Sequence, residues 1–395
     1  MPTPILVLNC GSSSVKYQVI DTSDESVWAT GLVEKIGLPE GRIKHRTPAG
    51  EQIVQAPIPD HQEALRLVVQ AFADHGPALD QVVAVGHRTV HGGQRFRETI
   101  VIDDEVVAGM TELSGLAPLH NPPVIAGIKA AQAVLTQVPH VAIFDTAFFS
   151  TLPPAAYTYA IDKTIAEQFG IRKYGFHGTS HSYVSKRAAE FLGRDLGQLN
   201  QIVCHLGNGA SISAIQGGRA VDTSMGLTPL PGLVMGTRSG DVDPGIFSYL
   251  SRVADMDSAA VFTLLNNQSG VAGLADGTSD FRDLRTKIEA GDAAAELAFD
   301  VYIHRLIGYI GAYIAVLGRL DVLVFTAGVG ENDQDVRWAA CQRLAHLGCR
   351  IDPVANQAPN SGPRVISTPD SPVTVLVVPT NEELAMARET VAAIG

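Results

Sequence analysis

Two stretches of the chain share one pattern of apolar and polar positions. In Ile5-Leu-Val-Leu-Asn-Cys-Gly-Ser-Ser-Ser-Val-Lys16-Tyr-Gln-Val-Ile-Asp21 an apolar run enters a Gly/Ser turn and an alternating run leaves it. Gln201-Ile-Val-Cys-His-Leu-Gly-Asn-Gly-Ala-Ser-Ile-Ser-Ala-Ile-Gln216 repeats the pattern about 200 residues later. Such runs predict strands. A turn of small residues exposes backbone N–H groups and hydroxyls, a surface suited to phosphate oxygens. One such turn is an ordinary hairpin; its recurrence points to two related domains facing one nucleotide.

The rest of the pattern is mixed α/β. Weaker strand signals run on to residue 57, and a helix near 61–75 carries Ala64, Leu65, Val68, Val69 and Phe72 on one face. Strand Val82–Val85 leads into His87-Arg-Thr-Val-His-Gly-Gly93. Leu119-His-Asn-Pro-Pro123 caps a helix to about 136, and strand Val141–Phe144 ends at Asp145. After Leu152-Pro-Pro154 the pattern starts again. It predicts helix 181–192, the second hairpin, helices between 244 and 318, strand Val322–Thr326, a helix near 333–347 and strand Val373–Val378. This places one domain over 1–150 and a second over 151–383, with the last helix, about 384–395, packing back onto the first. That helix opens with Thr380-Asn-Glu-Glu383, a capping-box signal that puts Glu383 in the N3 slot and leaves Glu382 freer.

Composition narrows the class. The 395 residues are 46% hydrophobic and 18% charged, which favours a folded two-domain chain over disorder. A net charge of −12 argues against a nucleic-acid surface and for a cytoplasmic protein. An anion site must therefore be built locally from a few Arg, Lys and backbone donors. The cysteines, Cys10, Cys204, Cys341 and Cys349, lack paired metal-ligand spacing and read as reduced thiols. No secretion signal opens the chain, and the nearly uncharged stretch Leu306–Gly318 is too short to span a bilayer, so it reads as a buried helix and no membrane partner is expected.

Several strings carry chemistry. Phe325-Thr-Ala-Gly-Val-Gly-Glu-Asn332 joins a strand to a helix with glycines that let a ligand approach the backbone. It lacks the third glycine of a dinucleotide fingerprint and the Gly-Lys-Ser/Thr of a Walker loop. Arg88 and Arg238 stand in Gly-rich surroundings, and Arg forks bind phosphate or carboxylate bidentately. His177 and His181 are four apart, as are His87 and His91. Either pair would suit zinc if helical, but the neighbouring Gly178 and Gly92 argue for loops. His181 then reads as a residue at a helix N-terminus, and His177 as a donor to a phosphoryl oxygen.

With these strings in view, the chain resembles the acetate kinase family, within the superfamily of acetate and sugar kinases, actin and heat-shock chaperones. The resemblance runs from Asn9-Cys-Gly-Ser-Ser-Ser-Val-Lys16 through Ala117-Pro-Leu-His-Asn-Pro-Pro123 and Asp222-Thr-Ser-Met-Gly-Leu-Thr-Pro229 to Thr380-Asn-Glu-Glu383. It implies an α/β fold of two related actin-like ATPase (ribonuclease H-like) domains with an interdomain active-site cleft. It implies ATP/ADP as co-substrate and Mg²⁺ (or Mn²⁺) held by Asn9 and Glu382. Ser12, Ser14 and Lys16 would line the first phosphate loop, and His205, Leu206, Gly207, Asn208 and Gly209 the second. Arg88 and Arg238 would contact acetate and the transferring phosphoryl group, with Asp145 beside them. His120, His177 and His205 would surround the phosphoryl path. Asp280, Phe281, Arg282 and the run Gly328, Val329, Gly330, Glu331, Asn332 would hold adenosine. Val90, Leu119, Phe176 and Pro229 would form the pocket for the acetate methyl. A homodimer is also implied. The chain departs from the family pattern at Phe149, Pro231 and Thr89, where His, Glu and Val are usual.

The implied reaction is reversible phosphorylation of acetate to acetyl phosphate by direct in-line transfer. Such transfer needs alignment and cationic stabilisation more than covalent help. A carboxylate acceptor is already ionised at neutral pH, so no strong base is required and Asp145 reads as an orienter of Arg88 or of metal-bound water. Propionate kinase is the near alternative. An ATP-driven switch protein is the distant one, disfavoured because Arg88, Arg238 and His177 supply a small-anion site that a switch does not need. The β-branched Val90 shortens the pocket wall. Val90→Ala should raise kcat/KM for propionate relative to acetate by up to roughly 10- to 200-fold, the range for one methylene in an apolar pocket; an unchanged ratio in parallel assays would refute the pocket assignment.

Overall fold

The computed structural model describes residues 2–118 and 120–395, so Leu119 lies outside the described residues. The chain divides into two compact units, Met1–Ser150 with Asn381–Gly395, and Thr151–Thr380.

The first unit is built on an eight-stranded sheet of order β5-β4-β3-β2-β1-β6-β8-β7. Its strands are β1 (Pro4–Cys10), β2 (Ser14–Asp21), β3 (Val27–Glu34), β4 (Gly41–Thr47), β5 (Gly50–Ala56), β6 (Ala84–Thr89), β7 (Ile100–Val101) and β8 (His140–Phe144). The first five form an antiparallel meander, and β6 and β8 continue it in parallel with β1. The second unit has six strands of order β11-β10-β9-β12-β14-β13, comprising β9 (Asn200–Leu206), β10 (Ala210–Gln216), β11 (Arg219–Thr223), β12 (Val322–Thr326), β13 (Arg364–Val365) and β14 (Thr374–Val377). The run β3-β2-β1-β6-β8 and the run β11-β10-β9-β12-β14 have the same order and the same strand directions. The two hairpins therefore occupy equivalent places in two copies of one ribonuclease H-like fold.

Strand alternation sorts the side chains of β1 and β6. Leu6, Leu8, Cys10 and Val85 join a core with Ala64, Leu65, Val68 and Phe72 of helix His61–His75 and with Ala130 and Ala131 of helix Asn121–Val134. Gly86 faces the other way, where a Cβ would meet Thr390 of the last helix, Glu382–Ile394. Arg88 follows Gly86 by two residues, so it projects on that same face.

Several sequence boundaries shift. The strand predicted at Val82–Val85 runs over Ala84–Thr89, so His87 and Arg88 belong to a strand rather than to a following loop. The helix predicted from 181 starts at Gly178, because that glycine opens the first turn instead of a loop. The helix predicted near 333–347 is Gln334–Leu344, capped by the Asp333 carboxylate and followed by a short turn of helix at Ala345–Leu347, and a further short helix, Ala327–Asn332, stands where the sequence predicts a turn. The stretch Leu306–Gly318 belongs to a longer helix, Ala293–Leu317, with Ala298, Tyr302, Leu306, Ile310 and Tyr313 buried at helical spacing. The last helix is capped by Asn381, whose side chain accepts from Leu384 N at 3.0 Å, and not by Thr380. Glu383 is thus not the N3 residue of a capping box; it pairs with Lys16. All four cysteines are buried and free, and burial pushes the Cys10 thiol up to about 12.

Gly127 lets helix Asn121–Val134 approach β1: a Cβ there would lie 2.8 Å from Cys10 Cβ and closer still to its sulfur. Helix propensity favours Gly127→Ala by about 1 kcal/mol, whereas overpacking opposes it by about 1–3 kcal/mol. The substitution should therefore destabilise the protein by up to about 2 kcal/mol in urea denaturation; a gain in stability would show that the helix is free to shift.

Candidate active site

In the first unit β6 and the residue after β8 bring a cation and an anion together. Arg88 donates through Nε to Asp145 Oδ1 at 3.2 Å and through Nη2 to Asp145 Oδ2 at 2.9 Å. This two-point grip fixes the guanidinium in plane. The Asp145 carboxylate, with Glu382 as a second anion, holds the Arg88 pKa above its ordinary value against the opposing effect of burial. Asp145 is 3% exposed and Arg88 22% exposed, so the fork keeps one open side. Glu382, the first residue of the last helix, lies with Oε2 3.6 Å from Arg88 Nη2. That oxygen is buried and has no hydrogen-bond partner among the described residues. Asn9, near the end of β1, is half-buried and pairs in register with Lys16.

The first turn, Gly11 to Ser13, is closed by Gly11 N donating to Ser14 O at 2.8 Å. Ser12 is exposed and Ser14 half-buried, while the Lys16 ammonium is engaged by Glu383. Val90 is half-buried just beyond β6, and His120 is the residue preceding helix Asn121–Val134. His87 points into the core, where its Nε2 meets His140 Nδ1 at 2.9 Å and burial lowers its pKa far below the usual histidine range. It is therefore a core residue and does not join His91 in a ligand pair.

In the second unit a cavity of about 780 Å³ is lined by Gly207, Asn208, Asp280, Phe281, Arg282, Gly328, Val329 and Asn332 from the sequence-predicted set. This volume suits a nucleoside-sized ligand. Gly236, Ser279, Arg285, Asp333, Gln334 and Asp335 also line it and escaped the sequence reading. Gly236 had a detectable signal, since Met235-Gly-Thr-Arg238 is Gly-rich; Ser279, Asp333, Gln334 and Asp335 sit at polar helix starts and Arg285 in mid-helix, with no distinctive spacing. Gly236 donates to Asn208 O at 2.9 Å, and a Cβ on it would collide with the Asn208 side chain. Phe281 packs edge-on against Tyr302 with ring centres 4.8 Å apart. Asp280 caps its helix and is gripped by Arg282, which holds its carboxyl down to about 2.

Two predicted adenosine contacts do not line that cavity. Glu331 Oε1 accepts from Ala327 N at 2.9 Å and from Thr380 N at 3.0 Å, and its Oε2 accepts from Asn360 at 3.1 Å. Gly330 is buried, and its carbonyl accepts from the buried Arg337 at 2.9 Å. Both residues brace the loop from inside. His205, Leu206 and Gly209 likewise sit beside the cavity wall rather than on it.

Arg238 differs from Arg88. Its Nη1 donates to Pro229 O at 3.2 Å, and among the described residues it has no carboxylate partner. Burial accordingly lowers its pKa. His177 takes the left-handed conformation at φ 59°. A Cβ on Gly209 would lie 3.6 Å from both Arg238 Nη1 and His177 Nε2, which places the two groups side by side over the second turn. The His177 ring stacks on His205 with centres 4.3 Å apart. His205 Nδ1 bonds Ser180 Oγ at 2.8 Å, and Ser180 bonds Thr380 at 2.9 Å. Phe176 is buried and Pro229 half-buried in this unit. Phe149, where the family pattern has His, is fully buried against Phe148.

Comparisons agree with this geometry. The acetokinase family profile matches residues 4–388. The acetate kinase of Leifsonia xyli subsp. xyli is 56% identical over 393 residues, covering 99% of each chain. The crystal structure of Porphyromonas gingivalis acetate kinase superposes with a TM-score of 0.95 at 43% identity over 100% of both chains. A propionate kinase from Francisella tularensis superposes with a TM-score of 0.94 at 40% identity over 99% of each. The chain belongs to the acetokinase family, kinases that transfer phosphate to a carboxylate.

Proposed function

We propose that the chain phosphorylates acetate reversibly with ATP, giving acetyl phosphate and ADP. The observation that carries a carboxylate acceptor is the commitment of both Asp145 oxygens to the Arg88 fork. A hydroxyl acceptor needs a base, and a carboxylate neutralised by an adjacent guanidinium is a weak one. A carboxylate acceptor needs none. Whole-length identity to acetate kinases supports acetate over propionate. Arg238 supplies the unpaired positive charge that a transferring phosphoryl group requires, and His177 supplies a neighbouring donor.

Asn9 and Glu382 fit a magnesium or manganese ion. Both offer hard oxygen donors, and the buried Glu382 Oε2 accepts no hydrogen bond among the described residues, its neighbouring cation Arg88 Nη2 standing 3.6 Å away. Among the described residues no three His, Cys, Asp or Glu side chains converge as a ready-made metal cage. That suits Mg²⁺, which is commonly held by one or two protein ligands together with substrate phosphates. The ion would neutralise phosphate charge when bound. The 780 Å³ cavity takes the nucleoside. A homodimer working in the cytoplasm completes the proposal, and sedimentation in dilute buffer tests the dimer.

A hydroxamate assay with ATP and Mg²⁺ on acetate, propionate, butyrate and no acceptor tests the reaction. Acyl phosphate should form fastest from acetate, and none from any acid would refute it. Arg238→Gln should lower kcat by about 10²–10³-fold, the usual effect of deleting one donor to a developing anion. Its melting temperature should hold or rise, because a half-buried cation without a counter-charge is removed. Gly236→Ala should weaken ADP binding in calorimetry by about tenfold or more, because a side chain there displaces Asn208 from the cavity wall.

A further inference from the structure

Behind His177 lies a row of buried hydrogen bonds that the proposed reaction does not itself require. His177 Nδ1 meets Ser211 Oγ at 3.0 Å. Ser211 Oγ meets His181 Nε2 at 2.7 Å. His181 Nδ1 meets Ser213 Oγ at 2.7 Å. Ser211, Ser213 and His181 are all fully buried. The placement follows from the fold. Ser211 and Ser213 are two apart in β10, so they point to one side, and His181 stands across from both in the first turn of helix Gly178–Leu192.

We infer that Ser213, His181 and Ser211 form a one-way donor chain that fixes His177 as the tautomer carrying its proton on Nε2. A serine hydroxyl has one hydrogen to give, and a neutral imidazole has one N–H and one bare nitrogen. The row can therefore run in only two directions. In the first, Ser213 O–H donates to His181 Nδ1, His181 Nε2–H donates to Ser211 Oγ, and Ser211 O–H donates to His177 Nδ1. Every hydrogen in the row has an acceptor, and the His177 proton is left on Nε2. In the reverse direction His177 Nδ1–H donates to Ser211, and the row ends with His181 Nδ1–H donating to Ser213. Among the described residues His181 Nδ1 is the single hydrogen-bond partner of Ser213 Oγ. The reverse row would thus strand the Ser213 hydrogen in the interior, the cost of an unsatisfied buried donor that the first direction avoids.

The outcome matters at the other end. His177 Nε2 lies beside Arg238 Nη1 over Gly209, and there a proton makes a donor to an anionic oxygen while a bare nitrogen would repel one. Burial also keeps His181 neutral, since it holds the imidazole pKa well below the usual range, with His205 adding to the effect. His181, Ser211 and Ser213 are positioning residues that act through His177. The tautomer does not depend on the acceptor, but its use rests on the reading of His177 as a phosphoryl donor.

The test is nitrogen NMR on the whole protein labelled with ¹⁵N-histidine, with His177 assigned by loss of its signals in His177→Gln. The wild type should show His177 with a protonated, pyrrole-type Nε2 and a bare, pyridine-type Nδ1. An Nδ1–H tautomer would overturn the inference without any serine variant having to fold. Ser213→Ala should move the two His177 nitrogens toward a tautomer average and lower kcat about tenfold, with the KM values for ATP and acetate within about twofold. Ser213→Thr, which keeps the hydroxyl, should restore both. Unchanged His177 signals in Ser213→Ala would also overturn the chain, whatever the activity. If the wild type carries Nε2–H yet makes no acyl phosphate, the donor chain stands and the acetate reading falls.

Discussion

His87 and Arg88 must point to opposite faces of the sheet, because successive residues of a strand do. This constraint orders the first unit. His87 goes into the core, loses solvation and pairs with His140. Arg88 goes to the face that the last helix covers, where Asp145 and Glu382 meet it. A one-residue slip of β6 against β1 would exchange the two, burying a guanidinium among Leu8, Val85 and Phe72 and leaving the anions unpaired. The parallel pairing Leu8↔His87 therefore fixes the chemistry as firmly as it fixes the core. The same register sets the first turn at the edge of that face, since β1 ends at Cys10 and the chain reverses through Gly11.

The two arginines read from one motif type settle into opposite electrostatic states. Arg88 is neutralised by a carboxylate and held in plane, so it can orient an anion but contributes little net charge. Arg238 is half-buried without a counter-ion, so its charge is available and its desolvation is already partly incurred. In a chain of net charge −12, a cation left unpaired beside a glycine turn is an expensive arrangement. It makes sense where an incoming anion supplies the missing charge.

Much of this was legible in the sequence, and what was not has identifiable physical causes. The helix His61–His75 was legible because its apolar stripe recurs at helical spacing. The hairpins were legible because small residues interrupt two apolar runs. The cap at Asn381 was not, because Thr380 and Asn381 are both good caps and only the backbone course chooses between them. Thr380 instead bonds Ser180 through its hydroxyl and Glu331 through its N–H. The role of His181 was hidden for another reason: its serines are thirty or more residues away, and only strand alternation in β10 brings both to one ring. The resemblance assigns Glu331 to adenosine together with its glycine-rich neighbours, and sequence cannot show that its carboxylate turns inward to Ala327 and Thr380.

That inward carboxylate explains how the glycine-rich run keeps its shape. Ala327 is held in the left-handed region at φ 65°, a conformation that costs a residue with a Cβ about 1–2 kcal/mol. Glu331 accepts from the strained residue's own N–H and, through the same oxygen, from Thr380 N. Arg337, fully buried, holds the Gly330 carbonyl with Nη1 while Nε and Nη2 both bind Asn356. One acid and one base, neither of which lines the cavity, thus pin the loop from behind and compensate its backbone strain with charged hydrogen bonds. The wall formed by Gly328, Val329 and Asn332 is then in place before any ligand arrives, so little ordering of that segment remains to oppose binding.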